Sequence, residues 1–237
     1  MSDVSELKRQ AAWRAVEFVR SGMVVGLGHG STTAFAIERI ADLTRSEDLK
    51  DVVCVPCSEE VAQHATQLGI PLTTLAEHSA IDLTIDGADE VDEQMNLIKG
   101  GGGALLREKV VASASRQEII IVDGSKLSVH LGTRFALPVE VIPFACALEA
   151  KAIESLSAHV LCRGGNDPFV TDQQNYILDC DFGPIAQPDL LSAQLDARPG
   201  IVAHGLFIDM ATDLIVATDH GVRHVVRGSD FSDLIPR

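Results

Sequence analysis

Apolar positions along the chain follow two periods, and each predicts its own kind of element. Leu7, Ala11, Val16 and Val19 recur at helical spacing and predict a first helix, after which MVVGLG from Met23 is a short apolar run ending in glycine, as a buried strand does. A second helix is expected from near Ser31. Strand VVCV, helix SEEVAQHATQL, turn LGIP, strand IDLTID, helix ALLREKVVASAS and strand EIIIVD then succeed one another with short connections. This alternation predicts an α/β fold, an open doubly wound and mostly parallel sheet covered on both faces. From PVEVIP (Pro138 to Pro143) the texture changes. A helix around CALEAKAIESL, strand-like runs HVLCR, FVTD and YILDC, a helix near PDLLSAQLD and the strand IVAHGLF suggest a second, smaller α+β domain. The tail DLIVATDHGVRHVV reads as a hairpin turning at Asp219, His220 and Gly221. The expected division is residues 1–135 with 208–237 in the α/β domain, and 136–207 in the smaller one.

Composition narrows the partners. With 237 residues, 46% hydrophobic and 22% charged, the chain is that of a globular protein, and no apolar run has membrane-spanning length. The segment MSDVSELKRQAAWRAVEFV lacks the basic start and apolar stretch of a signal peptide, so a cytoplasmic location is expected. Nineteen basic against 34 acidic residues give a net charge of −15, which disfavours nucleic acid and anionic membranes. An anionic small molecule would need local positive features. The five cysteines imply no disulfide framework; Cys54 and Cys57 in CVPC have the strand-to-helix context of a thiol–disulfide motif, against the plainer reading of small buried side chains.

Candidate chemistry falls in loops just past the carboxyl ends of predicted strands, where open α/β sheets bind ligands. In GLGHGSTTAF a glycine-rich turn leads into a helix opened by Ser31 and Thr32. Unpaired backbone N–H groups at Gly30 and the positive helix end suit a phosphate, although a tight turn with an N-cap and no ligand has the same pattern. The lysine of a P-loop is missing and the glycines do not make GxGxxG. IDGADEVD crowds Asp86, Asp89, Glu90, Asp92 and Glu93 at a strand end, which suggests proton transfer at Asp86 and Asp89, with divalent metal binding as the competing chemistry. Asp92 and Glu93 read as a solvated acidic turn. LIKGGGGALLREK places Lys99 before Gly100, Gly101, Gly102 and Gly103, whose backbone N–H groups could hold an oxyanion, and puts Glu108 on the following helix. Glu108 is there a base held ionised by a nearby lysine, or a helix-surface residue. After EIIIVD, Lys126 is a candidate phosphate or hydroxyl ligand.

In order, GxGxGST, DGADE, KGGGGALLREK, DxSK, LPVEVIPFA and TDxxNxILD at Thr171 to Asp179 resemble the ribose-5-phosphate isomerase type A family from the first helix to the final hairpin. The resemblance implies interconversion of D-ribose 5-phosphate and D-ribulose 5-phosphate in the non-oxidative pentose phosphate pathway, with no metal or organic cofactor, in a homodimer or tetramer of dimers. By matching position it implies Glu108 as the base between C1 and C2, and Asp86 and Asp89 as the pair handling ring opening and hydroxyl protons. Lys99 is implied as the stabiliser of the enediolate oxygen, with Ser31, Thr32, Lys8 and Lys126 around substrate and phosphate. Two positions depart from the family: His29 replaces the usual Thr of GTGST, and Cys57 stands where a small hydroxyl residue is expected. The His29 imidazole is expected either to point to solvent or to donate to the phosphate. A sugar-phosphate sensor domain or a coenzyme A transferase-like enzyme are the rival readings; the first would be expected to carry a DNA-binding helix-turn-helix, and the second would use Glu108 as an acyl acceptor.

Overall fold

The computed structural model describes residues 3–235. Helix α1 (Val4–Val16) opens at Asp3, whose carboxylate accepts the Ser5 backbone N–H. It is followed by β1 (Val24–Leu27), α2 (Ser31–Arg45), β2 (Val53–Pro56), α3 (Glu59–Gln67), β3 (Leu83–Asp86), β4 (Glu90–Val91), β5 (Leu97–Ile98), α4 (Leu105–Ser113) and β6 (Glu118–Asp123). Then come β7 (Leu137–Val141), α5 (Cys146–Glu154), β8 (His159–Cys162), β9 (Tyr176–Asp181), α6 (Pro188–Asp196), β10 (Ile201–His204), β11 (Leu206–Phe207), β12 (Asp213–Thr218) and β13 (Gly221–Val226).

The chain forms two compact units, one of Met1–Gly87, Arg107–Ser125 and Met210–Leu234, the other of Ala88–Leu106, Lys126–Asp209 and Ile235–Arg237. Residues 88–106 and 126–135 therefore pack with the second unit, whereas the order of elements alone groups them with the first.

The first unit is built on a six-stranded sheet in the order β13-β12-β6-β3-β1-β2. Strands β2, β1, β3, β6 and β12 run parallel, and β13 closes the hairpin antiparallel at the edge. Every residue of β6, EIIIVD, is buried, which is what a strand covered on both faces requires. Val25, Leu27, Ile85, Ile119 and Ile121 share one core with Ala11 and Ala15 of α1 and Ile37 and Ile40 of α2. From β1 the chain moves to β2 on one side and then to β3 on the other, so the loops after β1 and β3 lie side by side at a topological switch point.

The second unit holds a four-stranded antiparallel sheet, β10-β7-β9-β8, and a three-stranded one, β11-β5-β4. Its core joins Leu137, Val139 and Val141 to Leu178, Cys180, Ile153 and Leu195. The run expected as one strand, IVAHGLF, is divided between the two sheets at Gly205, whose N–H donates to Pro138 O while its carbonyl accepts from Lys99 N–H at 2.9 Å. FVTD forms only an isolated bridge, Val170 to Tyr176, because Thr171 and Asn175 close a tight turn on each other.

Candidate active site

In the first unit, the loop ends of β1 and β3 meet at Asp86. Its side chain is buried, 1% exposed, and its Oδ1 accepts the backbone N–H groups of Gly87 at 2.7 Å and His29 at 3.1 Å. A Cβ at Gly28 would lie 2.1 Å from that Oδ1, so the glycine is what lets the first loop close over the carboxylate. Helix α2 then begins at Ser31 behind Gly30, which has φ 115° and supplies no side-chain cap. Its first N–H groups and positive helix end are thus arranged as an anion cradle. From α1, Lys8 Nζ donates to Ser31 Oγ at 2.9 Å and brings a positive charge to the same turn. Thr32 is half-buried there. A cavity of about 340 Å³ opens beside the loop, lined by Gly28, His29, Gly30, Ser31, Glu60 and His64 among others.

The His29 side chain does not point to solvent, one of the two orientations expected for it, and it lines this cavity. Its ring is largely buried; Nδ1 lies 3.1 Å from Ser58 Oγ, and Nε2 is 3.9 Å from the Glu60 carboxylate. Ser58 is itself the N-cap of α3 and accepts from Val61 N–H, so the imidazole pins the first loop to the start of the next helix. A third hydroxyl of the GSTT run escaped the sequence reading. Thr33 Oγ1 is buried without a hydrogen-bond partner among the described residues, 3.9 Å from the point where a Cβ on Gly87 would stand. The run of three hydroxyls was the available signal, but not which of them turns inward.

In the second unit the glycine loop explains its own composition. Gly101 N–H donates to Asp89 Oδ2 at 2.8 Å, and a Cβ there would come within 2.8 Å of the other carboxylate oxygen. Gly103 has φ 84° and lies against the Phe169 ring. The N–H of Gly103 donates to Gly100 O, so two of the four glycines already spend their N–H groups within the protein, and the expected oxyanion role does not extend to them. Lys99 is only 2% exposed, with Nζ 5.5 Å from the centre of the Phe207 ring. Lys126 ends the short helical turn Gly124–Lys126 and is half-buried.

Glu108 stands in the first turn of α4, where the helix dipole favours a carboxylate, and is 4% exposed. This removes the helix-surface alternative. The neighbouring Arg107 turns to Glu59 at 2.8 Å.

The acidic turn is partly corrected. Asp92 is buried, not solvated: Oδ1 accepts from Gln94 and Asn96 N–H, and Oδ2 from Asn96 Nδ2. Glu90 is likewise structural, accepting the N–H groups of Gly132 and Arg134. Glu93 is exposed as expected. Among the described residues no group of three or more His, Cys, Asp or Glu side chains is placed to hold a metal ion. Cys54 and Cys57 are both buried, and burial pushes the Cys54 thiol up to about 12, far from the thiolate that disulfide exchange needs.

Residues 53–221 match the sequence model of ribose 5-phosphate isomerase A (phosphoriboisomerase A). The chain is 59% identical over 220 residues to a ribose-5-phosphate isomerase A of Chloroflexus aurantiacus, covering 92% of each chain. It is 54% identical to that of Desulfatibacillum aliphaticivorans, over 95% of this chain and 99% of the relative. Among solved structures, a D-ribose-5-phosphate isomerase in complex with phospho-erythronic acid superposes with TM-score 0.93 at 37% identity, over 95% of this chain and all (100%) of that one. The ribose 5-phosphate isomerase of Plasmodium falciparum does so with TM-score 0.91 at 41% identity, with 95% and 100% covered. Agreement of fold, motif order and sequence over nearly the whole length has one reading: the chain belongs to the ribose 5-phosphate isomerase A family, and interconverts D-ribose 5-phosphate and D-ribulose 5-phosphate.

Proposed function

We propose that Glu108 is the general base of this isomerisation and Lys99 the cation that stabilises its enediolate. In the open-chain aldose, Glu108 takes the proton from C2, the electron pair forms the C1–C2 double bond, and negative charge gathers on the C1 oxygen, where the Lys99 ammonium opposes it. Glu108 then returns its proton to C1 as the C2 carbonyl forms. The hydroxyl proton that leaves O2 and the one that arrives at O1 are assigned to Asp86 and Asp89, which also serve ring opening. The phosphate is assigned to the start of α2, with Gly30, Ser31 and Thr32, and to Lys8 and Lys126. In a protein of net charge −15, these local positive features are what attract a dianion. Gly100 and Gly102 are assigned to the substrate beside Lys99. His29 supports the turn through Ser58 and, by its backbone N–H, Asp86.

The observation that carries this reading is that Lys99 and Glu108, which flank the glycine loop in sequence, are 2% and 4% exposed, withdrawn from bulk water where a base and an oxyanion-stabilising cation act most strongly. The related enzyme solved with phospho-erythronic acid supports it chemically, since a sugar-acid carboxylate offers two oxygens in a plane as an enediolate does. A cofactor-free reaction suits the chemistry, as carboxylate and lysine suffice for an aldose–ketose proton transfer. A cytoplasmic homodimer, or a tetramer of dimers, completes the reading. Exposed Phe144, at 98%, and Leu148 support self-association.

The test is a coupled assay of ribulose 5-phosphate formation with wild type and Glu108→Gln, each with and without EDTA. The amide keeps the shape and loses the base, so kcat is expected to fall ~10²–10⁴-fold with KM within about tenfold, and EDTA to leave the wild type unchanged. A variant keeping more than about a tenth of wild-type kcat would sink the role of Glu108. Activity lost to EDTA and restored by Mg²⁺ or Mn²⁺ would give Asp86 and Asp89 to a metal instead.

A further inference from the structure

A segment of four glycines has no side chains with which to lock itself, and each glycine left free costs the folded state more backbone entropy than any other residue. The Gly100–Gly103 loop must therefore be fixed through its main chain. Arg163, just past the end of β8, supplies two of the bonds: its Nη1 donates to Gly100 O at 3.0 Å and Gly101 O at 3.2 Å. Its other edge is gripped by Asp179 of β9, with Nε to Oδ2 at 3.0 Å and Nη2 to Oδ1 at 2.5 Å. This bidentate pair fixes the plane of the guanidinium and so the direction in which Nη1 points. Phe169, over which the guanidinium lies at 5.9 Å, fills the space left by Gly103.

The run that carries Asp179 also satisfies a buried carboxylate. Glu140 of β7 is buried, and its Oε1 accepts from Thr171 Oγ1 at 2.8 Å and Asn175 Nδ2 at 3.0 Å. Burial pushes the Glu140 carboxyl above its ordinary range, and these donors pull against that rise, which is why each of them matters to keeping a charge there. Thr171, Asn175 and Asp179 are polar residues of the TDxxNxILD run, to which the reaction itself assigns no part.

We propose that this run is a brace for the catalytic loop: Asp179 acts through Arg163 on the carbonyls of Gly100 and Gly101, and Thr171 and Asn175, held by Glu140, fix the turn that leads into the strand carrying Asp179. None of the five touches the reacting atoms in this account. They are positioning residues for Lys99, which precedes the loop. The inference rests on the role given to Lys99 above.

The experiment measures kcat and KM for Arg163→Gln, Arg163→Lys, Asp179→Asn and the double variant Arg163→Gln/Asp179→Asn, at temperatures where circular dichroism shows each fully folded. Hydrogen exchange of the peptide covering 99–106 is followed in the same samples. Misplacement of a reacting group by about 1 Å costs up to ~10²-fold, so kcat is expected to fall about 10- to 100-fold with KM little changed. Exchange at 99–106 should quicken. Lys at 163 keeps the charge but not the fork, and should not rescue. The double variant should be no slower than Arg163→Gln alone, because Asp179 acts through Arg163. Wild-type kcat and unchanged exchange in folded Arg163→Gln, or additive losses in the double variant, would overturn the brace. Lys99→Met and Glu108→Gln are assayed alongside: if those two remain active, the catalytic roles fail; if they are inactive while Arg163→Gln is not, only the brace fails.

Discussion

At His29 the chain carries an imidazole in the turn between β1 and α2. The backbone N–H still reaches Asp86, as any residue's would, but the ring reaches Ser58 at the start of α3. His29→Thr is therefore expected to keep the grip on Asp86, to lose the bond to Ser58, and to lower stability by about 1 kcal/mol. Inhibition by inorganic phosphate, measured against pH from about 6 to 8, the range in which an unperturbed imidazole titrates, should superimpose on wild type. Tighter phosphate binding at the acid end in wild type only would put the imidazole on the anion. Glu108 and Lys99 show the limit of reading single residues: their types and neighbours suggest chemistry, yet an Arg-Glu-Lys run fits a solvated helix face equally well until burial is known.

At the scale of elements, periodicity and turn residues made most of the helices and strands legible, because both are local properties of the chain. The two-residue strands β4 and β5 were not, since so short a run carries no period. The β12–β13 hairpin was legible, but the clamp at its base was not. Asp213 of β12 accepts from Thr212 Oγ1, from Gln117 Nε2 just before β6, and lies 2.6 Å from His224 Nε2 of β13. Burial pushes its carboxyl up, but these bonds outweigh it and hold the group below its ordinary 3.8. The charged form is thus favoured by folding, so its contribution is present above pH 3.8 and is lost as pH falls through the depressed native value. Asp213→Asn is expected to cost about 1–3 kcal/mol near neutrality, with the gap to wild type closing at acid pH as the depressed native value is passed. Urea unfolding at neutral and at acid pH checks this, and an equal gap at each would take the charge out of the account.

For the whole molecule, the proposed assembly is checked by light scattering after size exclusion. A mass of twice 25.3 kDa, or a higher even multiple of it, is expected for the wild type, falling to 25.3 kDa in Phe144→Asp/Leu148→Asp, which places charge on the exposed apolar residues. A wild-type mass of 25.3 kDa would overturn the assembly.

Sequence alone determined the α/β alternation, the smaller second domain, the position of the loops at strand ends, and, through the order of the motifs, the family and its reaction. Each of these depends on residues near one another in the chain or on their succession. Tertiary structure decided the rest: that Glu108, Lys99 and Asp92 are buried, that Gly28 is needed because Asp86 lies beneath it, that residues 88–106 join the second unit, and that Arg163 holds the carbonyls of Gly100 and Gly101. Burial and partnership are properties of a place in space, and that place is set by contacts between residues as far apart as 57 positions for His29 and Asp86 and 63 for Arg163 and Gly100, over which no local pattern carries information.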